Sequence, residues 1–507
     1  MRVRRLANTG SLVVRTTICV CFVVAASLNA VGEGMRLPAD DHHWNKVKGF
    51  IEDPPQSGYT HASEAALEAF RDMKYGIRIH WGVYALKEVE ASWPFLDMSD
   101  AERAEYQELY RRFNPDTFDA EEWMVFFERC GFTNFAFTAK HHDGFSMFDT
   151  ATRVKQRANW AAPGGPRIEP CDVAYSIMET PFKRDIVKEL CDAAHRHGIK
   201  IDLYFSHPDW YDADFRPYNY HPLQTPDAMA HPEKYGDAPT KRPVMAPDLS
   251  AEEKSRMVAR HRAQLIELLS NYGRVDMVCL DQWMGPGVWP EMRETMKILR
   301  KIQPDVMFRA RGIGNYGDYF TPEGFVPGDK ENTLMPWMVI YPLTGRFAYE
   351  PDASKYKGAP WILDKLVDTV SKGGNFMVAI GPDAAGRFHP AAVKQLEDVG
   401  AWLDVNGEAI YATRERSGDL WKEGNDVRFT QTKDHGTIYA ICLKWPGRRL
   451  MLKSVQPRTG SPIRLLGYAK PLRWKQTDDG IEIEIPKTLQ DKRNRPCQYA
   501  WAFKIEQ

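Results

Sequence analysis

The sequence NFAFTAKHHDGFSMF, residues 134–148, joins an apolar run rich in aromatic residues to the polar cluster KHHDG at residues 140–144. Packing alone gives no reason for a buried strand to end in five such residues. In an α/β barrel the strand ends open into the active-site mouth, where polar side chains meet the substrate. This stretch therefore predicts a barrel strand whose end, including His141 and His142, is a candidate for substrate contact.

The same arrangement of an amphipathic helix, a glycine and a short β-rich run recurs along the chain. Glycine after the last helical turn supplies the left-handed residue that ends a helix. Alternating helices and apolar strands predict βαβ units with a parallel sheet, and no glycine-rich phosphate loop follows the first strand, which favours a barrel over an open sheet. The helix–glycine–strand sets lie at residues 121–138, 185–206, 254–280 and 363–380, with further strands at 75–81 and 306–311.

The pattern changes after residue 411, where helical periodicity gives way to alternation of apolar and polar residues around short turns. Such strands predict an antiparallel β-sandwich. The fold class is therefore a (β/α)8-like TIM barrel at residues 35–412 followed by a C-terminal β-sandwich at residues 413–507. Residues 149–183 and 211–247, which are rich in proline and poor in periodicity, are predicted to be long loops at the barrel mouth.

Residues 1–32 carry arginines, then an apolar run, then small residues, which is the order of a secretory signal peptide. The apolar run is too short to span a bilayer comfortably. We therefore expect an exported protein, periplasmic or extracellular, without a membrane span. The formal net charge of −1 favours neither nucleic acid nor an anionic membrane as a partner. Six cysteines follow the signal, without metal-binding spacing, and are expected to be mostly buried thiols with at most one or two bridges.

The blocks KYGIRIHWGVYAL, NFAFTAKHHDGFSMFDT, VDMVCLDQW and LVDTVSKGGNFMVAIGPDAAGRF occur in this order between residues 74 and 388. On these blocks the chain resembles the α-L-fucosidases of glycoside hydrolase family 29. The resemblance implies a barrel followed by a β-sandwich, no metal and no cofactor. It also implies retaining hydrolysis of terminal α-L-fucosyl residues from fucosylated oligosaccharides or polysaccharides, through an aspartate nucleophile and a carboxylic acid/base.

The resemblance assigns roles residue by residue. Asp281, at the end of VDMVCLD, falls at the nucleophile position, and a retaining hydrolase needs a second carboxyl about 5–5.5 Å away. Glu323, in DYFTPEGF, is the predicted acid/base, and Glu331 is the second choice. Substrate binding is expected of the following residues: His80, Trp81, Trp93, His141, His142 and Tyr204.

Three departures from the family pattern keep other functions open. Cys279 stands where the family often has tryptophan, Gln282 where it often has glycine, and Met338 where a glutamate often follows the tryptophan. The sugar could therefore be a galactose-configured relative of fucose, or the protein could bind glycans without cleaving them. A metal-dependent hydrolase, suggested by the His-His-Asp cluster, is a further alternative, although adjacent residues of one strand point to opposite faces.

Overall fold

The computed structural model describes residues 35–236, 242–322, 326 and 335–507. Helices and strands alternate through most of its length. The helices are α1 (His42–Val47), α2 (Glu64–Met73), α3 (Asp100–Gln107), α4 (Ala120–Arg129), α5 (Ile186–His197), α6 (Pro226–Ala230), α7 (Ala251–Ser270), α8 (Trp289–Ile302), α9 (Ala359–Ser371) and α10 (Pro390–Asn406). The strands before residue 400 are β1 (Tyr75–Ile79), β2 (Asn134–Lys140), β3 (Val154–Asn159), β4 (Arg167–Val173), β5 (Lys200–Ser206), β6 (Leu223–Gln224), β7 (Val244–Met245), β8 (Met277–Asp281), β9 (Met307–Phe308), β10 (Met338–Pro342) and β11 (Asn375–Ile380).

Seven of these strands form one parallel sheet in the order β10–β11–β1–β2–β5–β8–β9. The segment at Tyr319 and Phe320 lies between its two edges. Tyr319 forms a parallel bridge with Arg309 beyond β9, and Phe320 forms one with Trp337 before β10. These bridges occupy the eighth position and close the sheet, so the predicted (β/α)8-like barrel is confirmed.

The helix–glycine–strand pattern forms as predicted. The Asp185 carboxylate accepts a hydrogen bond from the backbone N–H of Lys188 at the start of α5, which stabilises an otherwise unpaired helix end. Gly198 follows the last turn at φ +67°, and the chain then enters β5. A short connection of this kind places the carboxyl end of each strand at the same rim of the barrel.

Alternation along each strand separates the packing core from the barrel interior. On β8, Val278 and Leu280 pack against the helices, while Met277, Cys279 and Asp281 face inward. A layer of apolar side chains fills the lower interior. Its members include Ala136, Met277, Met307, Met338 and Met377. Polar residues two positions further along the strands therefore lie one layer higher, directly below the mouth.

The prediction of a structureless loop at residues 149–183 is wrong, because β3 and β4 form an antiparallel hairpin there. The hairpin has few buried apolar side chains, and polar pairs such as Arg157 Nε to Glu169 Oε1, at 2.9 Å, hold it together. Hydrophobic periodicity therefore gave no signal. The prediction for residues 211–247 is also wrong for the described part, which contains α6 and the short strands β6 and β7; residues 237–241 lie outside it.

The C-terminal region has two antiparallel sheets facing each other across one apolar core, which confirms the predicted sandwich. On the strand Thr437–Cys442, Ile438 and Ala440 point into this core, while Tyr439 and Ile441 join the core of the barrel domain. The sheets have the strand orders β12–β13–β14–β19–β16 and β15–β18–β17. Their strands are β12 (Lys422–Glu423), β13 (Val427–Gln431), β14 (Thr437–Cys442), β15 (Arg449–Leu452), β16 (Arg464–Leu465), β17 (Arg473–Thr477), β18 (Gly480–Glu484) and β19 (Trp501–Glu506).

All six cysteines of the described residues are free thiols, four of them buried. Across the described ranges, no helix combines the length and the apolar character that crossing a bilayer requires.

Candidate active site

Asp281 closes β8 with its carboxylate turned into the barrel mouth. The Tyr204 hydroxyl donates a hydrogen bond to Asp281 Oδ2 at 2.7 Å, and Arg311 Nη1 donates to Oδ1 at 2.7 Å. The backbone N–H of Gln282 also donates to Oδ1, at 3.0 Å. These three donors hold the carboxylate in one orientation. Only 7% of Asp281 is exposed, so the carboxylate lies beneath a small opening.

The charge on Asp281 is set by its neighbours. Burial by itself would raise the pKa of this carboxyl, but the positive charges of Arg311 and Arg309, together with His142 and the hydrogen bond from Tyr204, hold the pKa well below its usual range. Arg309 Nη1 lies 3.7 Å from Asp281 Oδ1. The carboxylate is therefore ionised across the whole physiological pH range.

Three histidines from two strand ends gather beside this carboxylate. The ring centroids of His80 and His141 are 5.7 Å apart, and those of His141 and His142 are 4.2 Å apart. His142 Nε2 lies 4.0 Å from Asp281 Oδ2. Because β2 ends at Lys140, the chain turns before His141 and His142, and the strand rule that would send them to opposite faces no longer applies.

Two serines fix the histidine rings. Ser92 Oγ lies 2.5 Å from His141 Nδ1, and Ser206 Oγ lies 2.6 Å from His142 Nδ1. Burial, together with the charges of His142 and His80, lowers the pKa of His141 well below its ordinary value, so this imidazole is neutral. A neutral imidazole offers one donor and one acceptor, which matches a sugar hydroxyl.

Two family models match most of the chain. The family model described as Alpha-L-fucosidase matches residues 55–408, and the one described as Alpha-L-fucosidase C-terminal domain matches residues 422–506. The chain belongs to the alpha-L-fucosidase family. Human plasma alpha-L-fucosidase is 27% identical over 472 residues, covering 86% of this chain and 89% of that protein. The alpha-L-fucosidase of Branchiostoma floridae is 25% identical over 470 residues, covering 86% and 92%.

Solved structures of family members share the fold. Alpha-L-fucosidase isoenzyme 1 from Paenibacillus thiaminolyticus superimposes with a TM-score of 0.68 at 24% identity, covering 87% of this chain and 99% of that one. A GH29 alpha-L-fucosidase from Bacteroides thetaiotaomicron gives a TM-score of 0.68 at 23% identity, covering 89% and 98%.

The structure brings most of the predicted site residues of this fucosidase-family chain together, but it places one of them elsewhere. Trp93, which is 36% exposed, stands at the rim with its ring 4.6 Å from that of His142. Trp81 instead lies 1% exposed among Phe113, Phe118 and Trp123, and its indole N–H donates to the backbone carbonyl of Asp383 at 3.0 Å. Trp81 therefore packs between the barrel and its outer layer.

Sequence reasoning missed the two arginines that contact Asp281. Arg309 and Arg311 follow β9 and are two residues apart, so their side chains share the inner face. The signal was available, since the strand at 306–311 had been predicted and both arginines lie at its polar end. Applying the strand-end rule to this strand as well would have found them.

The predicted acid/base Glu323 and the second choice Glu331 both lie outside the described residues. The segment that leads to Glu323 is described up to Pro322. Thr321 is buried and lines a small cavity together with Arg309 and Arg311. Thr321 thus lies next to the arginines that hold the nucleophile candidate.

The residue after Asp281 has a backbone conformation that is unusual for glutamine. Gln282 has φ +69°, in the left-handed region that favours glycine. Its backbone N–H is one of the three donors to Asp281. The glycine common in the family suits this conformation, and the present chain keeps the conformation with a glutamine.

Proposed function

We propose that this chain is an exported, retaining exo-glycosidase that removes terminal α-L-fucosyl residues, with Asp281 as the nucleophile. The observation that carries the proposal is the buried, ionised carboxylate of Asp281 at the barrel mouth, held by Arg311 and Tyr204 beside three histidines. A nucleophile of this kind must be ionised, oriented and partly desolvated, and Asp281 meets all three requirements.

The proposed reaction is a double displacement. One oxygen of Asp281 attacks the anomeric carbon while the glycosidic C–O bond breaks, and Glu323 gives its proton to the leaving oxygen. Water then attacks the same carbon, Glu323 takes the proton, and the bond to Asp281 breaks. Two inversions return the original anomeric configuration. The donors from Tyr204 and Arg311 stabilise the carboxylate as it departs in the second step.

The sugar would be oriented by the histidine cluster and the rim tryptophan. Ser92 occupies Nδ1 of His141, which leaves Nε2 of this neutral ring for a sugar hydroxyl. His80 and His142 lie on either side of it. The indole of Trp93 at the rim presents an aromatic face that suits the apolar C–H face of a pyranose.

The substrate would be a fucosylated oligosaccharide or polysaccharide met outside the cytoplasm. The signal-like residues 1–32, which lie outside the described residues, and the plasma alpha-L-fucosidases among the relatives support export. The neutral overall charge gives no reason to expect a nucleic acid partner.

The test is a panel of aryl α-L-fucosides, aryl galactosides and natural oligosaccharides, run with wild type, Asp281→Asn and Glu323→Gln. Asp398→Asn, at a half-buried carboxylate on α10 that pairs with Lys394, serves as the matched control. We expect fucoside turnover by wild type and the control, and loss on the order of 10³-fold or more in Asp281→Asn. Preference for galactose-configured substrates, or binding of fucosylated glycans with no sugar released, would replace the proposal with one of its alternatives.

A further inference from the structure

Two buried arginines converge on one sulfur directly below the nucleophile candidate. Arg78 Nη1 lies 3.5 Å from Cys279 Sγ, and Arg309 Nη1 lies 3.3 Å from it. Arg78 is 4% exposed, Arg309 is 1% exposed and Cys279 is fully buried. Guanidinium groups have only donors, so a layer of the barrel that contains two of them needs acceptors.

Each of the two arginines connects the sulfur of Cys279 to a different oxygen of the Asp281 carboxylate. The guanidinium of Arg78 lies over the ring of Tyr204, 4.6 Å from its centroid, and Tyr204 donates to Asp281 Oδ2. Arg309 Nη1 reaches to within 3.7 Å of Asp281 Oδ1. Both routes from Cys279 thus end on the carboxylate, one on each oxygen.

The strand geometry makes this arrangement possible. Cys279 and Asp281 are two residues apart on β8 and share its inner face, so the sulfur lies one layer below the carboxylate. In a family that often has tryptophan at this position, an indole would supply a further donor and no acceptor. A small sulfur in its place both makes room for two guanidinium groups and accepts their N–H bonds.

The positive charges in this layer are fixed. Burial would lower the pKa of Arg78, but Cys279, Tyr204 and Asp281 raise it above its ordinary value, so the guanidinium stays protonated. Asp202, one layer further down on β5, is the other carboxyl facing these arginines; burial raises its pKa to about 6 against the opposing effect of Arg78 and Arg309.

We propose that Cys279 is a positioning residue for the nucleophile, because its sulfur orients Arg78 and Arg309 and, through them, Tyr204 and Asp281. This role rests on the proposed function of Asp281. The family often has tryptophan at position 279. In this chain the cysteine at that position and the two arginines of the same buried layer depend on one another, because the sulfur accepts their hydrogen bonds.

The test compares Cys279→Ala, which removes the acceptor, with Cys279→Ser, which keeps one, using the pH profile of kcat/KM on an aryl α-L-fucoside. We expect Cys279→Ala to lose about 10- to 100-fold in kcat, because a small misplacement of a reacting group has an effect of this size. We also expect the acidic limb to move to higher pH, because Arg309 would no longer be held near Asp281. Cys279→Ser should keep most of the rate and the wild-type limb. Cys191→Ala, which removes a buried thiol from α5, should change neither.

Two outcomes would overturn the role of Cys279. One is a wild-type rate and limb in Cys279→Ala; the other is an equal loss in the alanine and serine variants with no shift of the limb, which indicates packing alone. Inactivity of the wild type would instead refute the proposed function. In that case, Cys279→Ala and Cys279→Ser are compared by crystal structure, where an unchanged Arg78–Arg309 geometry in the alanine variant would also overturn the role.

Discussion

At the scale of single residues, the pKa of Asp281 is the property on which catalysis would depend. Arg311 is its closest positive charge, and removing it should raise the pKa of the carboxyl. A higher pKa means that Asp281 becomes protonated earlier as the pH falls, so in Arg311→Gln the acidic limb of kcat/KM should move to higher pH. A positive charge within hydrogen-bonding distance typically lowers the pKa of a carboxyl by about 1–3, so the limb should move by a similar amount.

The measurement is the pH profile of kcat/KM, which reports groups of the free enzyme. Arg129→Gln, which breaks an exposed ion pair with Glu397 on the outside of the barrel, is the matched control and should leave the limb in place. A limb that stays at the wild-type position in Arg311→Gln would show that this arginine does not set the charge of Asp281.

The predicted site residues that the structure brings together and the one that it places elsewhere differ in a simple physical way. His80 and Trp81 both follow β1, which ends at Ile79, yet His80 lies beside His141 while Trp81 packs against Trp123. His141 and His142 both reach the site only because the strand has already ended. Motif resemblance names positions, but the path of the chain after each strand end decides which side chains can reach the mouth.

At the scale of elements, a buried ionic cluster connects β2, the segment after β5 and α7. Arg260 on α7 donates to Asp209 at 2.6 Å and to Asp212 at 3.3 Å, and Lys140 lies 3.8 Å from Asp209. All four side chains are at most 6% exposed. The cluster is connected to the histidines through the backbone, since the N–H of Trp210, next to Asp209, donates a hydrogen bond to the carbonyl of His142.

Removing one member of a buried ion pair leaves the other uncompensated, which costs about 3–5 kcal/mol. Arg260→Met should therefore lower the free energy of unfolding by about this amount in urea denaturation followed by circular dichroism. Lys188→Met, which breaks an exposed ion pair with Asp192 on α5, should cost less. Equal losses in the two variants would mean that the buried cluster contributes no more than a surface ion pair.

Elements with an apolar face could be predicted from the sequence, and those without one could not. The barrel helices and strands follow a clear period, and their predicted bounds differ from the observed ones by a few residues, as for the helix at 121–130, observed as α4. The hairpin of β3 and β4 is held by polar cross-strand pairs such as Arg157 with Glu169, so its strands carry no hydrophobic alternation.

At the scale of the whole molecule, the β-sandwich and the barrel domain share a packed interface. The indole N–H of Trp402 on α10 donates to the carbonyl of Ala500 at 2.8 Å, and Arg428 on β13 pairs with Asp368 on α9 at 2.8 Å. Tyr439 and Ile441 of the sandwich belong to the barrel-side core.

Because the two units share this core, we expect a single calorimetric unfolding transition for the wild type and a lower transition temperature in Trp402→Ala. A large aromatic residue truncated in a core costs about 3–5 kcal/mol. Val125→Ala, at an exposed position on α4, is the control. Two well-separated transitions in the wild type would show that the units unfold independently.

The central claim is that Asp281 forms a bond to the sugar. The most direct measurement is mass-spectrometric mapping of the protein after inactivation with 2-fluoro-fucosyl fluoride. The account predicts one fluorofucosyl group on the peptide that contains Asp281, and none in Asp281→Asn. Fucoside turnover with the label on a different carboxyl group, or with no covalent label at all, would contradict it.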